Sequence, residues 1–540
     1  MVAMSFAILN TWIAIAGTMG LVLPSGGAVS LIYGFIFCVL CNFALVSSLG
    51  ELTAIWPTAG GQYHFVYALC TDSWKNLMSF LVGWVNIAGW LTLVTTEGFF
   101  GGMLSLSLSP SPSTLRVPRI DIEINLRFYF ADFFQTIAQF ISAAAVMASG
   151  GKYQAEPWAT YLIFLAMLTF ATILNIFGNK ILGQWNNVAL YWSILSVVIM
   201  CVVLLATSEK TDAKTVFTEF QNETGWPNGV AWILGMLQSA LSLIGFDVVL
   251  HMTEEMPNPS RDAPLALVYA IGVGGTTGIA VALVVLFCLV DPAIVLESET
   301  GLPIVDMIYR ATGSRAAATV IALMLSVCFV NGTNGSTTSV SRLLYSMARD
   351  KGIFFHEFFS HLHPKWNVPI RTIMLSFVFN VLFGLLYLGP AVAFNAYISS
   401  CTIFLNVSYA FPVIMVLIRG RKVLDRFQTA ETPFKLGKIR GLILNWISAT
   451  YVVFISIFLC FPPGLPVSAN LMNYVTAVIG IFAVFITIYW VVYGKTFQGP
   501  HFDEIIGQNM ADQGMVVQGD LKKDHSSKAS KEELEHAHGA

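Results

Sequence analysis

The sequence predicts an all-α polytopic membrane protein of about 12 transmembrane helices, with helices 1 and 6 discontinuous. Three observations predict this. About a dozen stretches are each apolar for 18 residues or more, and a hydrocarbon core about 30 Å thick needs roughly 20 helical residues to cross it. Of the 540 residues, 56% are hydrophobic, 11% are charged and 40 are Phe, and the mean hydropathy is +0.71; a water-soluble domain of this length has a far more polar balance. The first and sixth stretches are interrupted by glycine beside polar residues, at Ala14-Ile15-Ala16-Gly17-Thr18-Met19-Gly20 and at Leu243-Ile244-Gly245-Phe246-Asp247. Breaks five segments apart match two repeats that each open with a discontinuous helix.

In order, the spans cover residues 5–23, 28–49, 77–100, 159–177, 187–207, 229–250, 265–290, 317–340, 370–389, 392–418, 441–461 and 472–493, each ended by charge or by Pro and Gly. They are helices and not barrel strands, because the runs are continuously apolar instead of alternating with period two. Positive charge collects between the tenth and eleventh spans (Arg419, Arg421, Lys422, Arg426, Lys435, Lys438, Arg440) and between the eighth and ninth (Arg349, Lys351, Lys365, Arg371). Those loops are expected in the cytoplasm, and an even span number puts both termini there as well. The first span starts so close to Met1, with no basic segment before it, that a shortened N-terminus is expected instead of a cleaved signal peptide. Residues 1–493 read as the transmembrane domain and 494–540 as a disordered cytoplasmic tail.

Residues 101–136 depart from the pattern. Polar, Pro-rich sequence (Ser105 to Pro112, then Arg116, Arg119, Asp121, Glu123 and Arg127) follows an apolar helix directly, and small apolar residues resume at Ser142-Ala143-Ala144-Ala145. The segment is either retained intron sequence or an extracellular excursion; without it, 77–100 and 138–149 join into one long helix.

Several function classes drop out. The net charge of −3 and the lack of a basic face with interleaved aromatics exclude nucleic acid as a partner. The eight cysteines lack the paired spacing of a metal site or a disulfide framework and read as packing residues. With no Walker loop, no Gly-x-Ser-x-Gly and no metal-spaced cluster, the chain reads as no enzyme, with no catalytic residue, cofactor or metal.

Three loop motifs carry a resemblance. They are Glu51-Leu52-Thr53-Ala54-Ile55-Trp56-Pro57-Thr58-Ala59-Gly60-Gly61-Gln62-Tyr63 after the second span, Glu254-Glu255-Met256-Pro257-Asn258-Pro259 after the sixth, and Ser341-Arg342-Leu343-Leu344-Tyr345-Ser346-Met347-Ala348-Arg349-Asp350 after the eighth. In order and position the chain resembles the amino acid–polyamine–organocation superfamily, and within it the fungal amino acid/choline/GABA permease group. The resemblance implies a LeuT-type 5+5 inverted repeat, with substrate held mid-membrane between the first, third, sixth, eighth and tenth spans. It also implies a secondary active transporter, a proton symporter importing a small amine such as an amino acid, GABA or choline across the plasma membrane. A transport-deficient nutrient sensor on the same fold is the alternative, and a channel lacks any filter sequence.

Candidate substrate-binding residues follow from the breaks. Ala16, Gly17, Thr18 and Gly20 can offer unpaired backbone groups to a ligand, or else serve close helix packing. Gly245 and Phe246 mark the second break, and Asp247 beside them can pair with an ammonium or take up a proton, or else snorkel near His251. Glu97 is the other intramembrane acid and a second proton-coupling candidate. Asn331, in the polar run Asn331 to Ser339, and Tyr397 in the tenth span complete the set. The expected partners are a small amine, a proton and membrane lipid.

Overall fold

Ten helices among the described residues are long and apolar enough to cross a membrane in one piece: Gly27–Ile55, Lys75–Phe99, Pro157–Phe177, Ile181–Thr207, Pro259–Cys288, Arg315–Arg349, Ile370–Leu388, Val392–Arg419, Lys438–Phe458 and Val475–Thr496. The computed structural model describes residues 2–99, 137–149, 156–290, 302–428, 432–468 and 472–501. These ten helices coincide with ten of the twelve expected spans. The two missing from the set are the first and the sixth, because each is split, into Val2–Leu9 with Thr11–Val22 and into Asn228–Leu241 with Val248–His251.

Among their other contacts, three pairs of helical spans five apart pack together. The first span lies against the sixth, the second against the seventh and the third against the eighth, the offset that a five-plus-five arrangement implies. Small residues set the approach: a Cβ on Gly275 would come within 2.8 Å of Val39, and one on Gly278 within 2.5 Å of Phe35. In lipid, where apolar burial alone drives no association, this close fit is what holds helices together. The periphery is apolar and exposed, as at Tyr191, Ile481, Val491 and Val492, which suits contact with lipid tails.

Met1–Gly499 forms one compact unit and Pro500–Ala540 another, of which Pro500 and His501 are described. Packing continues past the last span, with Phe497 buried against Phe80 at 5.6 Å. The segment 101–136 lies outside the described residues. The small-residue stretch that follows it forms its own helix, Ile137–Ser149, packed on the eighth span, where Phe140 stacks on Phe329 at 5.9 Å.

Candidate functional site

The first break falls at Asn10 and not at the glycine run. Asn10 sits in the left-handed region (φ 40, ψ 32) between two helices, and its Nδ2 donates to the Cys328 carbonyl at 3.2 Å. Asparagine enters that region more readily than other side chains, and the bond to the eighth span holds it there. Ala16, Gly17, Thr18 and Gly20 all lie inside the continuous helix Thr11–Val22, so the unpaired backbone expected of them is absent. A Cβ on Gly17 would meet no atom within 4 Å.

The second break is where the sequence put it. Helix Asn228–Leu241 ends, residues 242–247 turn, and a four-residue helix resumes at Val248. Gly245 has φ +90, which L side chains rarely adopt, and its N–H donates to the Tyr409 hydroxyl at 3.1 Å. A Cβ there would come within 2.9 Å of Ile8 and 3.3 Å of Leu93. The Phe246 ring packs tilted against Tyr409 with centroids 4.6 Å apart, and its carbonyl accepts from Ser5 Oγ at 3.5 Å, so the two broken spans touch.

A cavity lies between the breaks, walled by Ile8, Asn10, Ala14, Leu93, Thr96, Glu97, Ile244 and Phe329 among others. Glu97 is 5% exposed, and its Oε2 has no hydrogen-bond partner; Asn10 is 2% exposed, and its Oδ1 has none either. The Asn10 amide and the Glu97 carboxyl lie side by side against the eighth span. Gly332 of the eighth span makes room for both groups, since a Cβ there would stand 2.5 Å from Glu97 Oε2 and 2.9 Å from Asn10 Nδ2. A residue of the cavity wall therefore carries a buried carboxylate with one oxygen unanswered, an arrangement costly enough to need a ligand, water or proton.

Asp247, by contrast, does not line this cavity. Tyr409 donates to its Oδ1 at 2.6 Å, while Gln62 Nε2 (2.8 Å) and Trp90 Nε1 (3.1 Å) donate to Oδ2. His251 Nε2 lies 3.3 Å from the same oxygen, and its Nδ1 is 2.9 Å from the Ala59 carbonyl. Because a carbonyl only accepts, Nδ1 carries the proton of a neutral ring, and Nε2 carries one only when the ring is charged. Asn86 Nδ2 stands 3.4 Å from that Nε2.

Two other expected residues are also engaged away from the cavity. The Tyr397 hydroxyl meets Thr95 Oγ1 at 3.2 Å, and its ring stacks on Phe383 at 5.3 Å. Asn331 is buried with Oδ1 unpartnered, but it is not among the cavity walls. Sequence reasoning missed Asn10, Gln62 and Tyr409. Asn10 was discoverable as a polar residue inside an apolar span; Gln62 lies in a signature motif whose reach to Asp247 no spacing discloses.

The three signature loops interlock on one side. Ala59 N–H donates to Glu254 at 3.1 Å, Arg349 grips Glu254 with two bonds of 2.9 and 3.1 Å, and Arg342 meets Glu255 at 3.1 Å. His64 adds a 2.7 Å contact to Asp350. Burial opposes the charge on Glu254, but the Arg349 hydrogen bonds and charge, with the Ala59 N–H, outweigh it and hold the carboxyl below the usual glutamate range. A lowered carboxyl adds stability that is complete above the unfolded value and lost as pH falls through the lowered one. Glu254→Gln is expected to cost about 2 kcal/mol, the usual worth of a charged hydrogen bond. Thermal melts across acidic pH check it: the wild type should lose an increment on acidification that the variant lacks, and superimposable pH profiles would refute the assignment.

The family model described as amino acid permease matches residues 1–484. A choline transporter of Saccharomyces cerevisiae is 30% identical over 493 residues, covering 91% of this chain and 80% of the relative. An amino-acid permease of Arabidopsis thaliana is 27% identical, covering 92% and 91%, and the GABA-specific permease of Saccharomyces cerevisiae is 24% identical, covering 95% and 85%. Broken helices around an enclosed acid and a match over nearly the whole chain converge: the chain belongs to the amino acid permease family, and is a multi-pass membrane transporter and not an enzyme.

Proposed function

We propose that the chain is a proton-coupled importer of a small amine, acting at the plasma membrane with both termini in the cytoplasm. The observation that carries it is the unanswered Glu97 carboxylate in the cavity between the two breaks. A substrate ammonium supplies the missing donors and the countercharge together, while the cavity, about 20 Å³ and water-sized in this closed form, widens between the apolar walls Ile8, Leu93, Ile244 and Phe329 to take its carbon skeleton. The relatives, which by name carry choline, amino acids or GABA, support an amine. The interlocked loops bear the Arg-rich motif, so by the charge rule they close the cytoplasmic side of the site.

Coupling follows from charge. A proton and an ammonium compete for Glu97, so a proton that travels with the substrate rides on the other acid. Asp247 and His251 form that second seat: Ala59 holds Nδ1–H, leaving Nε2, 3.3 Å from Asp247, as the exchangeable position. Gln62, Trp90, Tyr409 and Asn86 are the groups facing the pair, and none of them brings a second charge.

Uptake of labelled amines into cells lacking endogenous permeases tests the proposal. Accumulation should rise at acidic external pH and collapse with an uncoupler. Sodium-dependent, uncoupler-insensitive uptake would overturn the coupling, and binding without uptake would favour a sensor. Asp247→Asn should still equilibrate substrate but no longer concentrate it, with the pH response reduced at least about tenfold, the effect of removing one charged hydrogen-bonded partner. Retained concentrative uptake in that variant would remove Asp247 from the coupling path.

A further inference from the structure

We infer that the site selects a cation that only donates: a protonated primary or secondary amine that carries no carboxylate. The inference rests on the reading of this cavity as the substrate site. Only three of the lining side chains are polar, Asn10, Thr96 and Glu97, and their donors are turned to the protein. Thr96 Oγ1 donates to the Thr92 carbonyl at 2.8 Å, and the Asn10 amide donates to the Cys328 carbonyl. Of the backbone donors on the wall and beside it, Gly245 N–H serves Tyr409, Ile244 N–H the Leu241 carbonyl and Ala14 N–H the Asn10 carbonyl. Two buried acceptors, Glu97 Oε2 and Asn10 Oδ1, remain open.

Each rival chemistry then meets a specific deficit. A zwitterion brings a carboxylate into an enclosed site that has one carboxylate already and no Lys, Arg or His on its wall. A quaternary ammonium has no N–H, so both open acceptors stay unanswered, and its methyl groups hold the charge beyond the 2.7–2.9 Å reach of an N–H donor. It relies on aromatic faces instead. Phe329 is the aromatic residue on this wall, and Phe140 already stacks on it. Trp90 and Trp12 are not on the wall, and their indole N–H groups donate to Asp247 and Ser193.

The test uses matched trios that differ only in the head group: ethanolamine, choline and glycine, and then 4-aminobutan-1-ol, its N,N,N-trimethyl analogue and 4-aminobutanoate. Uptake by cells expressing the full chain, with competition and thermal-shift measurements on the purified protein, should rank the amino alcohol first in each trio by roughly tenfold or more, the cost of leaving a buried polar group unpaired. Glu97→Gln should flatten that ranking while the protein still folds. If choline, glycine or their longer analogues bind as well as or better than the amino alcohols, the inference is overturned and amine transport stands. Selectivity that survives Glu97→Gln overturns it also. If no member of either trio is bound or carried, the substrate-site reading falls and the inference falls with it.

Discussion

Glu97→Gln is expected to cost the transporter most of its apparent affinity for a cationic amine, about 2 kcal/mol or more, which is roughly 30-fold in KM. The substitution keeps the shape of the side chain and its neighbour Asn10 while removing the charge that faces the cavity. Stability should move the other way. An enclosed carboxylate with an open oxygen is a folding cost in the empty protein, so the amide should melt no lower than the wild type. Lost uptake together with preserved or raised thermal stability is the signature of a binding group. Near-normal uptake by surface-expressed Glu97→Gln would mean that the amine is held elsewhere, and the cavity would lose its claim. Asp247 shows the opposite balance, because its carboxylate already accepts from Tyr409, Gln62 and Trp90. Removing that charge leaves three donors facing an amide, which weakens the protein itself.

This contrast marks the limit of what the sequence discloses. Length and apolar continuity are local properties, so the spans could be read from the chain, and ten of them appear as uninterrupted helices. The sixth-span break could also be read, because a left-handed turn inside lipid asks for glycine and Gly245 supplies it at φ +90. The first break could not. Its turn residue is Asn10, held by Cys328 more than 300 positions away, whereas the Gly17 to Gly20 run is continuous helix. Which acid stays open is non-local as well. Asp247 looked the better candidate from its place beside the break, but its donors come from the second loop, the third span and the tenth span, and no spacing predicts that they meet. Gly83 lies mid-span in the third span with no polar neighbour to mark it, yet its Cβ position is 3.1 Å from Met347 and 3.3 Å from Tyr63, so a side chain there strikes the third and eighth spans' contact.

Gly245→Val should abolish uptake while folded protein still reaches the membrane. Two effects act in the same direction. At φ +90 a β-branched residue is strained by about 1–3 kcal/mol, and its Cβ alone would already stand 2.9 Å from Ile8 and 3.3 Å from Leu93, both of which wall the cavity. Relief comes from pushing those side chains into the substrate space or from reverting to regular helix, which draws the Gly245 N–H away from Tyr409 and with it the hydroxyl that serves Asp247. Either route removes transport, at least about tenfold even if half of the strain is relaxed. The matched control is Gly17→Ala in the other broken span, where a Cβ meets nothing within 4 Å and the backbone is helical. Alanine there should leave uptake unchanged and stabilise the helix by about 0.5–1 kcal/mol. The reverse pattern, with Gly17→Ala inactive and Gly245→Val active at the surface, would put the functional break back at the glycine run. It would also detach the cavity at Glu97 from the transport path.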